Sequence, residues 1–575
     1  MAEPTSGTGV GTDGAATPYY LSFSGGGWNS HSSLAGWISG SLDGLAASGR
    51  TSDLKTLLGQ IKAVSANSGG SWFLSHLAYS SPFVAGLEQK TSRDQYNSSG
   101  YNGQVAALFS GKPSTSTYSN GLTEVISWLP GRVQSRVKGI TQLLSYYDNL
   151  IGEVANTDLN WRKVVDRFVY QPLGMLSELA GKGLDAARQS WANGKDLVIT
   201  AAAQSAATVL ENVGGLAQNK IFSIVTPTNK ALPAQGQVTP LFFNSTIAPG
   251  STSPKASALF SSGDVNLDLT NNKWFADTSS TRSQLPANLA TTVSIIDATT
   301  ASSSAMALLA SPRTFGASSL TEGLRNSIAS VMQDMAPLAS VVNGNLSMPS
   351  TLPVVPESTS TEARMGLYAK QGLNRLADGG YVDNTAGAYM MRHIQDTLGT
   401  SKPFNLTLFM NSSIDPLTGI KMPVGPAAAD LSSYWVPGDV AKLFGNYNAS
   451  GGNDGSTIAF DGIPVFRPLV PSPKVFDISA WQGETPEWTY AKGNLDLAYY
   501  DLDVKTVDNP AFGVKGGQSG RVQIFVANNK GSFAAPTSPA VLGEYANNFN
   551  VVRDAIANQG GFAFMSDALG LGLPA

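Results

Sequence analysis

The chain has 575 residues, of which 42% are hydrophobic and 14% charged, with a formal net charge of -4. The charged share is well below the roughly 25% usual for soluble domains, so Ser, Thr, Asn and Gly must supply the polar surface. No basic excess exists to attract nucleic acid, and any contact with lipid would have to rest on apolar surface. There is no cysteine, which removes disulfides, thiolate catalysis and Cys-ligated metal or iron–sulfur centres, and three histidines leave little for a His-rich metal site. A metal site built on Cys or rich in His is therefore not expected.

Residues 1–17 carry neither a basic n-region nor an apolar h-region and read as a disordered tail, not a signal peptide. Low charge, abundant Ser/Thr/Asn and absent Cys lean toward an exported chain. A mature chain whose signal had been removed would look the same. No run of about 18 uncharged apolar residues occurs, so no spanning helix is expected.

Residues 18–23, with YYLSF in their middle, read as a strand. The turn SGGG follows, and then a helix over 31–48 with Leu34, Ile38, Leu42 and Leu45 at helical spacing. KTLLGQIKAVSA ends in a short apolar strand, NSGG is a turn, and SWFLSHLAY is helical. Two strand–turn–helix units so close together open an α/β domain. From about 82 to 235 segments such as RVQSRVKGITQLLSYYDNLIGEV, LNWRKVVDRFVY and LVITAAAQSAATVLENV read as an inserted helical cap. Strand character returns at 237–247 and 291–299, and a helix is expected from 318. RLADGGYVDNTAGAYMMRHIQDTL is a third strand–turn–helix unit. FNLTLFMNSS, IPVFRPLV and GRVQIFVANN read as strands and AVLGEYANNFNVVRDAIANQ as a late helix, while the Gly/Asn-rich 445–462 reads as an exposed loop. No fixed-period repeat is present. The expected organisation is one α/β domain over 18–575 carrying the cap.

SANSGGSWF (65–73) places Ser68 at a sharp strand-to-helix turn with small neighbours Ala66 and Gly70. Such a turn presents the hydroxyl above the sheet edge, beside a helix N-terminus. Taken alone, a Ser/Gly loop in a Ser/Gly-rich chain explains it better. A serine hydroxyl needs a base. His31 follows the glycine turn. His76 lies two helical turns past Ser68 and reads as a packed helix residue. His393 lies inside a helix and offers only a Ser…Asp…His alternative. The other candidate base is Asp378 in ADGGYVDN, a carboxylate at a strand end that two glycines would expose. An ordinary Asp-Gly turn competes with that reading. Asp383 and Asn384 fit helix capping better than catalysis. Together, a glycine turn at one strand end, an elbow serine after the next and a later strand-end Asp-Gly-Gly supply an oxyanion loop, a nucleophile and a base.

With SGGG after the first strand, SANSGGSW at the elbow and LADGGYVDNTAG, the chain resembles the patatin and cytosolic phospholipase A2 superfamily, closer to its phospholipase A2/lysophospholipase branch. DATTASSSAMALLASP (297–312) is similar to the Ala/Ser-rich segment of that family. The resemblance implies a three-layer α/β fold with a central mixed sheet and a Ser68–Asp378 dyad that uses no histidine. It further implies oxyanion donors among Gly25, Gly26 and Gly27, and hydrolysis of fatty-acyl esters by a cycle that needs no metal and no organic cofactor. In three respects the chain departs from the family. Ala66 stands where glycine is usual. Asn29 stands where the phospholipase branch has an arginine for the lipid phosphate, which leaves Asn29 as the head-group candidate and neutral esters as an alternative to phospholipids. No calcium-dependent docking domain fits before SGGG, so any approach to a membrane would use the cap. Trp128, Leu129 and Pro130, or Leu143, Leu144, Tyr146 and Tyr147, would line an acyl funnel there or pack the cap onto the domain. Acyl transfer through the same intermediate and a non-catalytic scaffold or storage protein remain the other readings.

Overall fold

A computed structural model describes residues 17–109, 161–204, 238–247, 251, 253–260, 266–268, 275–277, 293–304, 338–342, 345–347, 373–412, 420–421, 435–445, 457–460, 463–466, 472–529 and 539–573. Strand β1 (Tyr19–Phe23) leads through the glycine turn into α1 (Gly27–Ala47), and β2 (Ile61–Asn67) leads without any loop into α2 (Ser68–Tyr79). Leu34, Ile38, Leu42 and Leu45 are all buried, as their spacing requires. Helix α1 begins four residues earlier than that spacing indicates, because Gly26 caps it at φ +132°, a conformation open to glycine. Almost the whole of α1 is buried, since it lies between the sheet and the late helix Pro539–Asn558. A methyl at Gly40 would stand 2.6 Å from the Arg553 carbonyl oxygen, so the two backbones pack closely.

The remaining elements that shape the site are β3 (Asp196–Gln204), β4 (Val238–Thr246), β5 (Lys255–Phe260), α3 (Ile295–Ser302), β6 (Leu338–Val342), β7 (Asn345–Ser347), β8 (Leu373–Asp378), α4 (Gly387–Leu398), β9 (Phe404–Ser412), α5 (Gly438–Leu443), β10 (Trp488–Lys492), β11 (Leu495–Lys505), β12 (Ser519–Asn529) and α6 (Pro539–Asn558). The architecture is α/β, with a mixed central sheet in the order β10-β11-β12-β9-β1-β2-β3-β8-β6-β7, and with β4 and β5 branching from β3. The run β12-β9-β1-β2-β3 is parallel and the flanks are antiparallel. Residues from both faces of the sheet enter buried clusters. Phe23, Phe409 and Phe525 meet α1 and α6, whereas Leu408, Met410 and Val526 meet α4 and α5. Coverage on both faces explains why FNLTLFMNS is buried along its whole length.

Three segments depart from the sequence expectation. LVITAAAQ is not helical. Its β-branched start and small alanines form β3, which is paired along both edges, so sheet pairing outweighs the helix propensity of alanine. The strand expected at 291–299 is instead α3, whose N-terminus is a capping box in which Ser294 and Asp297 exchange hydrogen bonds. Within the loop expected at 445–462, Thr457–Phe460 pairs antiparallel with Ile463–Phe466, which stands outside the central sheet. The expected cap is also interrupted. Its described parts are short helices and turns at 81–109 and 161–192, and then β3 returns to the sheet. The tail residues 1–16, the segments 110–160 and 205–237 with the aromatic groups noted above, and the helix from 318 lie outside the described residues. No described helix is long and apolar enough to cross a membrane.

Candidate active site

The sheet register brings Ser68 and Asp378 together. Strand β4 occupies one edge of β3 from Leu197 to Gln204, so β2 and β8 must share the other. Asn67 at the end of β2 stands opposite Thr200, and Asp378 at the end of β8 stands opposite the next residue, Ala201. The two strands therefore run head-on along one edge and deliver their last residues to the same point. That point lies at the carboxyl end of the parallel strands, where α/β sheets offer a crevice.

Ser68 takes φ +48°, a left-handed conformation that costs a non-glycine residue about 1 kcal/mol or more. This sharp turn aims its hydroxyl back at β8, and Ser68 Oγ donates to Asp378 Oδ2 at 2.7 Å. Both residues are nearly buried, at 8% and 6% exposure. Asp378 Oδ1 accepts from the Gly380 amide at 2.8 Å and from Asn67 Nδ2 at 3.2 Å. Burial pushes its pKa up to about 6, while the hydrogen bonds from Ser68, Gly380 and Asn67 pull the other way.

The glycines of the two turns need one another. A methyl at Gly69 would stand 2.1 Å from the Gly27 carbonyl oxygen and 2.5 Å from its amide nitrogen, and one at Gly70 would stand 2.6 Å from the Phe23 and Ser24 carbonyl oxygens. The SGGG backbone thus lies directly against the elbow. Of its three amides, that of Gly25 is taken: it donates to the Asn384 carbonyl at 3.0 Å. Gly25 therefore serves as a support and not as an open donor, a correction to its expected role. Among the described residues the Gly26 and Gly27 amides have no acceptor.

Asn29 is also placed otherwise than expected. It is fully buried, its Oδ1 accepts from Asn548 Nδ2 in α6, and among the described residues its Nδ2 has no partner. Because α1 starts at Gly27, Asn29 falls on the face packed against α6 and away from solvent, so it cannot meet a head group.

The histidines stand apart from Ser68. His31 and His76 are buried and share a hydrogen bond of 2.9 Å between Nε2 and Nδ1, with Tyr96 at 3.2 Å from His31 Nδ1. Burial pushes His31 down to about 3 and holds His76 well below the usual range, so both are neutral core groups. His393 Nε2 lies 3.2 Å from Asp196 Oδ2 at the other end of the sheet. Since Asp196 pairs with Ala63, five residues before Ser68, that contact lies about 16 Å from the elbow by strand rise. His393→Ala should accordingly change kcat/KM by less than about threefold on any substrate; a loss of a hundredfold would restore a Ser–His–Asp reading.

Sequence reading passed over three supporting residues, Asn67, Ser302 and Ser304, and read a fourth, Asn384, as a helix cap. Asn67, just before the elbow, bridges Asp378 Oδ1 and Asn384 Oδ1, and accepts from Thr200 Oγ1 at 3.0 Å. Ser302 Oγ accepts the Ser68 amide at 2.9 Å, and the Ser304 carbonyl accepts the Asp378 amide at 3.1 Å, so the end of α3 stitches the two together. Asn384 fixes both the glycine turn and Asn67, and is itself held by Asp439 Oδ2 at 2.9 Å. Asp383, in contrast, accepts from the amides of Thr385 and Ala388 and caps α4. The polar pair in ANSGG and the serines closing DATTASSS were the available signals. Neither residue type reveals a partner that is distant along the chain.

No protein-family model matches the chain, and no curated protein sequence matches it. Among solved structures the chain is similar to human GIVD cytosolic phospholipase A2, with a TM-score of 0.28 and 12% identity, covering 68% of this chain and 45% of that one.

Proposed function

We propose that the protein is a serine acyl hydrolase of the phospholipase A2/lysophospholipase type, acting on fatty-acyl esters through Ser68 and Asp378. The reading rests above all on one observation: a hydroxyl held in left-handed backbone donates at 2.7 Å to a buried carboxylate, with no histidine beside it. In this mechanism Asp378 removes the hydroxyl proton as Ser68 Oγ attacks the ester carbonyl carbon. The Gly26 and Gly27 amides stabilise the oxyanion, which collapses and expels the alkoxide, protonated by Asp378. Water then attacks the acyl-serine with Asp378 again as base, releasing the carboxylic acid and restoring the hydroxyl. A carboxylate with its pKa near 6 is a better base than an exposed one and is still ionised at neutral pH.

The first test is turnover on a phospholipid, a lysophospholipid, a triacylglycerol and a short acyl ester. Hydrolysis of at least one is expected; none at all would favour the scaffold or storage reading, and transfer to an added alcohol without free acid would favour the acyltransferase. The base must be unprotonated, so activity is held above pH 6 and falls about tenfold per unit below it. A kcat/KM profile flat from pH 7 to 4 would remove Asp378 from the role of base.

A further inference from the structure

Strand β9 neighbours β1 on the side away from Ser68, and Phe409 pairs with Phe23, so Asn411 stands level with the glycine turn at the same carboxyl edge. Its backbone amide and its side-chain oxygen are both engaged. Its amide donates to Ser24 Oγ at 2.8 Å, and its Oδ1 accepts from Ser33 Oγ at 3.2 Å. This fixes the side-chain amide with Nδ2 toward the turn, where a methyl on Gly26 would stand 2.5 Å from it. Nδ2 is thus within about 4 Å of Gly26 Cα and within about 5.5 Å of the Gly26 nitrogen, by addition of bond lengths. One oxygen at about 2.9 Å from each donor fits that separation. Among the described residues Asn411 Nδ2 has no acceptor, in common with the Gly26 and Gly27 amides, and the residue keeps 9% of its surface exposed. Asn411 Nδ2 and the Gly26 amide therefore lie close enough, beside the elbow, to share one acceptor.

We infer that Asn411 is a further catalytic residue, whose Nδ2 donates a side-chain hydrogen bond to the oxyanion formed on the ester carbonyl. The inference rests on the proposed acyl-hydrolase reading. Neutral amide donors stabilise the charge that develops in the transition state more than the ground-state carbonyl, so the effect belongs in kcat and not in KM. The role also accounts for the double constraint on Gly26, which has a left-handed φ and no room for a side chain beside Asn411.

The test uses the full chain and the best ester from the substrate panel, with Asn411→Asp, Asn411→Ala and Ser68→Ala in parallel. Asn411→Asp keeps the acceptor that holds Ser33 but replaces the donor with a repelling oxygen, so a purely structural role would be largely retained in it. The expected result is a fall in kcat of about 10²–10³-fold in Asn411→Ala, larger still in Asn411→Asp, with KM within threefold of the wild type. If Asn411→Asp fails to fold, the kcat of Asn411→Ala decides. A kcat within threefold of the wild type in the folded Asn411 variants, with Ser68→Ala inactive, overturns this inference and leaves the hydrolase reading standing. Full turnover by Ser68→Ala overturns both.

Discussion

Ser68→Ala is expected to lower kcat on the best ester substrate by on the order of 10⁴–10⁶-fold, since it removes the proposed nucleophile. Asp378 would lose the hydroxyl at 2.7 Å. Two hydrogen bonds on its other oxygen remain, so the fold should persist with a modest loss of stability. The strained backbone allows a finer comparison. Ser68→Gly removes the nucleophile equally but relieves the φ of +48°, and should be more stable than Ser68→Ala by about 1 kcal/mol. Equal melting of the two variants would show that the left-handed turn stores no strain.

Asp378→Asn should abolish turnover and stabilise the protein together. An amide cannot take the Ser68 proton, and loss of such a group costs on the order of 10⁴-fold. The stability effect has the opposite sign to that of a surface carboxylate. Burial raises the folded-state pKa from 3.8 to about 6, so the native state binds the proton more tightly than the unfolded chain does. The penalty for keeping Asp378 ionised is therefore fully present above pH 6 and disappears as pH falls toward 4. A shift of about two units corresponds to ~3 kcal/mol at pH 8. Asparagine should recover much of this at pH 8 and almost none at pH 4, which unfolding curves at the two pH values would show. A variant destabilised at both would mean that the hydrogen bonds to the carboxylate outweigh its burial. A gain of stability with loss of activity is the behaviour of a site that holds a charge for chemistry.

The glycine turn, the elbow and the strand-end Asp-Gly-Gly are legible in the sequence because each is a local backbone device signalled by glycine. That the two glycine runs need one another follows only from structure, where Gly69 meets the Gly27 backbone. The meeting of Ser68 and Asp378 depends on β3, whose LVITAAAQ reads as helix because alanine favours helices and nothing local reveals that both edges will be paired. Asn29 misled for a related reason. A position counted from the triple glycine carries no information about which face of α1 it occupies until the helix start is known, and the start at Gly27 turns it toward Asn548. Asn411 gave no local signal at all, since it reaches the glycine turn only through the pairing of β9 with β1.

The central claim is that Ser68 is a nucleophile, and covalent capture tests it most directly. The full chain would be treated at pH 8 with an alkyl fluorophosphonate, which phosphonylates activated serines with release of fluoride, and then mapped by peptide mass spectrometry. A single adduct on Ser68, absent from Ser68→Ala and much slower to form in Asp378→Asn, is the expected result. An unmodified Ser68, or labelling of Ser68→Ala at the wild-type rate on another residue, would contradict it.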